Sequence, residues 1–419
     1  MATDTSSESC RRLERSGNVD SVARWVRASA LIALRVIFAA CQISLLAALS
    51  LPAQTKVLDS RDSEPTAKTK QSQANSVTHA FWNDLFMDRE SSLFVKRSGA
   101  KLATTQLLFV PVRIVSITSG DGLHAFEEGR DYVWNSDSNT LTLTPNSRIP
   151  FKTFAELHPP KGSPGSYGET VDGQSSLFFD EGGAAFQGLQ VNVTYDHKKN
   201  WTGYVPSSAS TNLSRTDARL KNKEPINIVV LGDSISAGFG ASGTFGGPPY
   251  QPPYPGLVAE ALRVKYKTSI TLNNLSVAGM VSKWGVSQAQ NVAAENPNLA
   301  IIAFGMNDAS ARVSAPVYSQ DICAIIDTVR KKHPNTDFIL VATMTGNPEW
   351  NKSNSELYTE YLNELLKLEG PGIAVANMTS VWRAMLKTKT FDDLTGNGIN
   401  HPNDFGHRVY AQVIFQLLR

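Results

Sequence analysis

The second half of the chain alternates between short, continuously apolar runs and longer stretches with helical periodicity. The apolar runs lie at residues 226–231, 269–273, 299–304, 338–343 and 373–376, and amphipathic stretches lie at 254–265, 317–332 and 356–368. Short runs without polar alternation are typical of strands that are buried on both faces of a sheet. At least one helix length separates successive runs, which favours parallel pairing through right-handed crossovers. The pattern predicts an α/β domain with three α/β/α layers over residues 226–419.

The first half of the chain shows a period of two instead. Apolar and polar side chains alternate in residues 140–144 and 189–195, as they do in half-buried strands. Polar turn sequences, such as Asn-Ser-Asp-Ser-Asn at 135–139, separate segments of this kind. We therefore predict a smaller β-sandwich-like domain over residues 76–206, joined to the α/β domain by a polar linker at 207–225.

The chain begins with an arginine-containing polar segment that is followed by an apolar stretch at residues 28–51. A charged leader, an apolar run and small residues at its end are typical of a secretory signal. Because the charged leader is long, an uncleaved membrane anchor stays open as the alternative for residues 1–53. Residues 54–75 are rich in Ser, Lys and Asp and predict a flexible linker. We expect an exported protein, periplasmic or extracellular, with membrane attachment only if residues 1–53 are retained.

Charge and cysteine content argue against several classes of protein. The chain has 40 Lys and Arg against 38 Asp and Glu, and the first 35 residues carry the whole excess of +2. A neutral body lacks the basic footprint of a nucleic-acid binder. The three cysteines, Cys10, Cys41 and Cys323, have no CxxC spacing and indicate neither a zinc ribbon nor a disulfide framework. No cluster has metal-ligand spacing, so neither a metal nor an organic cofactor is predicted.

A serine directly follows the first predicted strand of the α/β domain. Gly232, Asp233 and Ser234 come after the run at 226–231, and residues just past the carboxyl end of a parallel strand face the crevice where open α/β sheets bind ligands. A serine hydroxyl becomes a strong nucleophile only beside a base. Near the end of the chain, His401 precedes a proline, which disfavours helix at His401 and places it in a loop ahead of the last helix.

Two further residues follow later strands at the same predicted edge. An ester-cleaving serine needs donors aimed at the oxyanion that develops on the substrate. Gly279 comes after the second strand and has no Cβ, so its N–H can approach a substrate closely. Asn307 comes after the third strand, where its side-chain amide can donate a second bond. Either residue alone is more often a turn or cap residue, but together with Ser234 and His401 they favour a catalytic site.

These segments resemble the SGNH or GDSL-type hydrolases over a little under half of the chain. The resemblance rests on VVLGDSIS around Ser234, NLSVAG ending at Gly279, FGMND containing Asn307, and NHPND containing His401. It implies a flavodoxin-like fold, with Ser234 as nucleophile and His401 as general base and then acid. It also implies an oxyanion hole formed by the Ser234 N–H, the Gly279 N–H and the Asn307 side chain.

One position departs from the family pattern. The family usually has an aspartate three residues before the histidine, and Gly398 stands there in this chain. A group that orients the imidazole is needed for full turnover. We expect a backbone carbonyl to orient His401, which gives a Ser-His dyad; Asp404, Asp393 and Asp392 stay open as alternatives.

A glycine-rich stretch at residues 238–243 spells GxGxxG, the fingerprint of dinucleotide sites. The fingerprint requires its first glycine at the end of a strand and a helix opening on its last glycine. Here the strand ends too early, and the Pro- and Gly-rich stretch at 244–255 does not favour a helix. We predict instead that this loop forms one wall of an acyl or sugar pocket, with Tyr250, Tyr254 and Trp284 as candidate apolar surface.

The residues and the resemblance together predict an exported serine esterase that removes short acyl groups. Exported members of this family with an added β-domain most resemble carbohydrate O-acetyl esterases, so the expected partner is an acylated polysaccharide or small molecule. A lipase or thioesterase is the alternative enzyme, and a carbohydrate-binding protein with a degenerate hydrolase domain is the alternative without catalysis. The segment 195–197 and Trp201 could reach a sugar, but ordinary strand-end residues are the stronger interpretation.

Overall fold

The computed structural model describes residues 67–180, 182–198 and 200–419. All of these residues belong to one compact unit. The predicted signal or anchor at residues 1–53 lies outside the described residues. Among the residues that are described, no helix is both long and apolar enough to cross a membrane.

The N-terminal region consists of short strands that join into one mostly antiparallel sheet. Its elements are α1 (Ala67–Thr78), β1 (Phe86–Lys96), β2 (Thr104–Gln106), β3 (Pro111–Ser119), β4 (Ala125–Phe126), β5 (Tyr132–Trp134), β6 (Thr140–Leu143), β7 (Phe151–Thr153), α2 (Phe154–Leu157), β8 (Ser166–Tyr167), β9 (Leu177–Phe178), α3 (Ala184–Leu189) and β10 (Gln190–His197). The sheet order is β4-β3-β10-β1-β2-β6-β5, with β7 parallel to β1. Strands β8 and β9 form a separate ribbon. The region is rich in strands, but the predicted sandwich is not confirmed, because these strands form one large sheet and a ribbon.

The C-terminal region alternates strands and helices as predicted. Its elements are α4 (Ser214–Lys221), β11 (Ile226–Gly232), α5 (Ser234–Ala237), α6 (Ser242–Phe245), α7 (Tyr254–Tyr266), β12 (Ile270–Asn274), α8 (Ser282–Ala294), β13 (Leu299–Ala303), α9 (Met306–Ser310), α10 (Ala315–Lys332), β14 (Asp337–Ala342), α11 (Ser355–Leu366), β15 (Ile373–Asn377), α12 (Met378–Met385), α13 (Phe391–Leu394) and α14 (Asp404–Leu417). The five strands are all parallel, in the order β12-β11-β13-β14-β15. This is the flavodoxin-like strand order, so the predicted fold of this region is confirmed.

Burial explains why these strands have no alternating pattern. Every residue of β13, β14 and β15 is buried, as expected for a parallel sheet covered by helices on both faces. The carboxyl ends of all five strands lie at one edge. The loops that follow β11, β12 and β13 therefore meet at that edge, together with the loop that precedes α14.

The predicted linker at residues 54–75 is helical where the structure describes it. Helix α1 begins at Ala67 and buries Ala74 and Val77 against α7 and α14. The Gln412 side chain of α14 also donates to the Ser76 carbonyl at 2.8 Å. Only a narrow stripe of α1 is apolar, which is why its composition resembled that of a linker.

The second predicted linker, residues 207–225, also contains a helix. Helix α4 buries Thr216 and Leu220. The Thr216 N–H donates to the Asp337 carboxylate at 2.8 Å, so a side chain of β14 satisfies a donor at the start of α4. The segment is therefore part of the α/β layer structure and not a free connection.

Candidate active site

Ser234 stands at the turn between β11 and α5. The Asp233 side chain caps α5 by accepting the Ile235 N–H at 3.0 Å, which fixes the turn. Ser234 is the first residue of the helix and is only 4% exposed. The first N–H groups of a helix have no partner within it, so the Ser234 N–H can donate a hydrogen bond to a negatively charged oxygen of a ligand.

His401 lies in the loop between α13 and α14, as its proline neighbour predicts. Its Nε2 is 2.9 Å from the Ser234 Oγ, although 167 positions separate the two residues in the sequence. The Gly396 N–H donates to the His401 carbonyl at 2.9 Å, and this hydrogen bond closes the loop between residues 396 and 401. The structure therefore brings the predicted hydroxyl and imidazole into hydrogen-bonding contact at the carboxyl edge of the parallel sheet.

The other ring nitrogen of His401 contacts a residue that sequence reasoning missed. The Asn397 Nδ2 is 2.9 Å from His401 Nδ1, so the expectation of a backbone carbonyl is wrong. Asn397 Oδ1 accepts the N–H groups of Ile399, Asn400 and His401 at 3.0, 3.0 and 3.1 Å. These three donors turn the amide so that its nitrogen faces the ring. Asn397 lies one position before Gly398, and the amide in NGINH was the available signal.

The three aspartates left open as orienting groups do not contact the His401 ring. Asp404 accepts the Ser242 N–H at 2.8 Å, and Asp393 accepts the Leu93 N–H at 2.8 Å. Desolvation and then the nearby Asp393 carboxylate raise the pKa of Asp392 to about 7. None of the three is a hydrogen-bond partner of the His401 ring.

Backbone geometry explains the glycine at the family's usual aspartate position. Gly398 has φ +75°, and a Cβ added there would lie 2.8 Å from the Phe178 carbonyl oxygen and 2.8 Å from the Phe186 ring. A side chain at this position would need both a strained backbone and displaced neighbours. The loop therefore disfavours an aspartate at residue 398.

The two predicted oxyanion donors follow two different strands, Gly279 in the loop after β12 and Asn307 in the helix after β13. Asn307, in α9, donates through Nδ2 to the Met280 carbonyl at 3.0 Å, which ties it to the residue after Gly279. The Val277 N–H donates to the Gly232 carbonyl at 3.1 Å and draws the same loop to the end of β11. Gly279 is exposed with φ +79°, and no protein atom lies within 4 Å of where its Cβ would be. The Asn307 amide keeps a second hydrogen for a ligand.

Desolvation dominates the electrostatics of the site. It lowers the pKa of His401 to about 3, with His407 adding to the shift, and it lowers the pKa of His407 to about 4. Both rings are therefore neutral at pH 7. His407 Nε2 lies 3.0 Å from the Phe239 carbonyl, so its role is structural. Burial raises the pKa of Asp233 to about 7. Among the described residues, no group of three or more His, Cys, Asp or Glu is arranged to hold a metal ion.

The aromatic residues predicted for the pocket are placed differently. Tyr254 is fully buried and belongs to the core, and Trp284 packs edge-on against Phe304. Tyr250 remains on the surface at 39% exposure. Phe239, from the glycine-rich loop, lies 5.2 Å from the His401 ring and was not predicted. The glycine-rich loop thus reaches the site through Phe239.

The β8–β9 ribbon of the N-terminal region packs behind the histidine loop. Leu177 of β9, Trp350 and Ile399 form a small buried cluster, which Phe179 extends. Tyr167 of β8 lies 4.8 Å from Phe179 and is 43% exposed. The N-terminal region therefore comes within two residues of His401 along the chain.

The segment 195–197 and Trp201 serve the interior of the N-terminal region. The Tyr195 hydroxyl donates to the Glu90 carboxylate, and the His197 ring stacks on Phe109 at 3.9 Å. Trp201 packs edge-on against Phe81 at 5.0 Å. A sugar contact by these residues is not supported.

Comparison with protein families places the site in a known class. Residues 230–409 match the GDSL-like Lipase/Acylhydrolase family. This segment belongs to the SGNH/GDSL hydrolases. The match includes Ser234, Gly279, Asn307 and His401, and the family consists of enzymes that hydrolyse ester bonds. No curated protein matches the chain.

Several solved structures are similar to the chain. A two-domain esterase active on acetylated mannans is 21% identical, with a TM-score of 0.41, over 52% of this chain and 54% of that one. The lipase Lip_vut3 from a goat rumen metagenome is 12% identical, with a TM-score of 0.38, over 45% and 95%. A variant of Axe2, an acetyl xylan esterase from Geobacillus stearothermophilus, is 16% identical, with a TM-score of 0.34, over 46% and 94%. The match spans about half the length of the first of these proteins.

Proposed function

We propose that the protein is a serine esterase in which Ser234 is the nucleophile and His401 the general base and acid. The observation that carries the proposal is the 2.9 Å contact between Ser234 Oγ and His401 Nε2. A serine hydroxyl next to an imidazole is the arrangement that nucleophilic catalysis requires. The Ser234–His401 pair lies at the carboxyl edge of a parallel sheet, the edge at which open α/β sheets bind ligands.

In the proposed reaction, Ser234 Oγ bonds to the ester carbonyl carbon while its proton moves to His401 Nε2. The carbonyl oxygen becomes an oxyanion and accepts hydrogen bonds from the Ser234 N–H, the Gly279 N–H and the Asn307 amide. Each such donor contributes about 3 kcal/mol of transition-state stabilisation. His401 then protonates the leaving alcohol, and water releases the acyl group from Ser234 by the same steps.

For the substrate, we propose short acyl groups, and O-acetyl groups on a carbohydrate in particular. Phe239 stands 5.2 Å from the His401 ring and narrows the space beside the base. The exposed Tyr167 lies on the ribbon that packs behind the histidine loop. An aromatic face with a polar tip suits a sugar ring at a wet surface. We also propose export, on the signal-like profile of residues 1–53.

Substitution of the nucleophile tests the proposed chemistry. We expect Ser234→Ala to lower the turnover of p-nitrophenyl acetate by about 10²-fold or more, to the background rate. Ser236→Ala is the matched control, because the Ser236 hydroxyl bonds the Tyr254 hydroxyl at 2.7 Å and points into the core. Turnover that survives Ser234→Ala, or substrate binding without any turnover by the unaltered protein, would contradict an esterase.

A series of substrates tests the proposed acyl group. We expect p-nitrophenyl acetate to be hydrolysed faster than longer esters, and acetate to be released from acetylated xylan or mannan. A preference for long acyl chains would replace the carbohydrate substrate with a lipid or thioester.

A further inference from the structure

The Asn397 amide has one orientation that satisfies its surroundings. Its Oδ1 accepts three backbone N–H groups, those of Ile399, Asn400 and His401. The opposite orientation would place a nitrogen with two hydrogens against three donors, which leaves all of them without an acceptor. Asn397 is also 1% exposed, so water does not replace these bonds. Nδ2 therefore donates to the Asn400 Oδ1 at 3.0 Å and to His401 Nδ1 at 2.9 Å.

A ring nitrogen that accepts a hydrogen bond carries no proton. A neutral imidazole has one N–H, so His401 has its proton on Nε2 when Nδ1 accepts from Asn397. That Nε2–H then donates to Ser234 Oγ across the 2.9 Å contact. A base that is to remove the Ser234 proton needs a lone pair on Nε2 instead. The resting tautomer is thus the opposite of the one that acylation requires.

We propose that Asn397 is a positioning residue that holds His401 in the Nε2–H tautomer and so limits acylation, and that a carboxylate at residue 397 would complete a catalytic triad. The inference rests on the proposed esterase function. Before Ser234 can lose its proton, the His401 proton must move from Nε2 to Nδ1, which breaks the bond from Asn397. The imidazolium that forms when Nε2 takes the Ser234 proton then faces an amide nitrogen and no negative charge.

The surroundings of His401 offer no substitute for that charge. Asp233 precedes the nucleophile but caps Ile235, and Asp404 at the start of α14 accepts the Ser242 N–H. His407 on α14 is neutral and bonds the Phe239 carbonyl. An aspartate at residue 398 is disfavoured by the positive φ and by the Phe178 carbonyl. Residue 397 is therefore the one position of this loop where an isosteric change places a carboxylate against Nδ1.

Asn397→Asp tests the inference through activity. The variant keeps an oxygen for the three N–H donors and gives Nδ1–H a carboxylate acceptor. An amide in place of a triad aspartate costs about 10⁴ in kcat in a serine protease, so we expect kcat to rise by about 10²- to 10⁴-fold with little change in KM. The carboxylate also stabilises imidazolium, so the acid limb of the kcat profile should move to higher pH.

Asn400→Asp is the matched control. It makes the same change in the same loop, and it retains an oxygen that accepts from Asn397 Nδ2, so the tautomer of His401 stays as it was. We expect no rise in kcat. Peptide mapping of the unaltered protein must show an intact Asn397, because Asn-Gly sequences deamidate readily. A folded Asn397→Asp with unchanged or lower kcat, or an equal gain in Asn400→Asp, would overturn the inference.

Nuclear magnetic resonance reads the tautomer without any substrate. Long-range ¹H–¹⁵N correlations of histidine-labelled protein, assigned with a His401→Gln variant, distinguish Nε2–H from Nδ1–H. We expect Nε2–H in the unaltered protein and Nδ1–H in Asn397→Asp. An Nδ1–H ring in the unaltered protein would overturn the inference. Failure of the esterase proposal would instead appear as turnover that survives Ser234→Ala, so the two failures are distinguishable.

Discussion

The two sheets of the protein differ in regularity and in what they contribute to the site. In the C-terminal region, five parallel strands follow a single topological rule, and Ser234, Gly279, Asn307 and His401 all belong to that region. In the N-terminal region, the strands are as short as two residues, and the pairings of β10 with β1 and β3 contain register shifts. The regular sheet carries the residues of the proposed active site, and the irregular one contacts the loop that holds His401.

Buried polar contacts join strand β1 to the segments on either side of His401. The side chains of Lys389 and Glu90 are fully buried and lie 3.0 Å apart. The Leu93 N–H donates to Asp393, and the Asn403 side chain donates to Ser91 Oγ at 2.9 Å. The N-terminal region therefore supports the histidine loop from both sides of His401.

Lys389→Met should give the largest effect on stability, because it removes the buried ion pair that joins the two regions. The change leaves Glu90 buried without its cation, although burial already raises the pKa of Glu90. We expect the free energy of unfolding to fall by about 3–5 kcal/mol, measured by denaturant unfolding. Turnover should fall with it, because the histidine loop loses its support.

Lys152→Met provides the control within the N-terminal region. Lys152 pairs with the half-exposed Glu156 at 3.6 Å, and such surface pairs contribute about 0–1 kcal/mol. If Lys389→Met cost no more than Lys152→Met, the regions would not be coupled through this pair.

Asn307→Ala should lower the catalytic rate without a comparable loss of stability. The variant removes one proposed oxyanion donor from the C-terminal region, so we expect kcat for p-nitrophenyl acetate to fall by about 10²- to 10³-fold with little change in KM. The unfolding free energy should change far less than in Lys389→Met. Asn274→Ala is the control, since its amide donates to the Ser236 carbonyl and not to a substrate. An equal loss of kcat in both variants would argue against an oxyanion role.

The C-terminal region was predictable from the sequence because complete burial of a strand requires consecutive apolar residues. Strands buried on both faces appear as continuous apolar runs, and the bounds of all five were predicted to within one residue. The order of the N-terminal strands was out of reach, because β10 enters the sheet between β3 and β1, which are far from it in sequence. No local pattern specifies such a pairing.

Some residues of the candidate site were likewise predictable from local sequence, and one was not. Ser234 and His401 follow from their positions after a strand and before a proline, and the structure places them in contact. Asn397 was missed because its role depends on a turn that collects three N–H donors on one oxygen and turns the nitrogen to the ring. The family pattern directed attention to residue 398, where the positive φ, the Phe178 carbonyl and the Phe186 ring together disfavour an aspartate.

Covalent labelling identifies the nucleophile of the protein. A fluorophosphonate probe loses fluoride when a serine oxygen activated by a base attacks its phosphorus. We expect a single adduct on Ser234, found by peptide mass spectrometry, and no adduct after His401→Gln. An adduct on another serine, or none while the protein hydrolyses p-nitrophenyl acetate, would contradict this expectation.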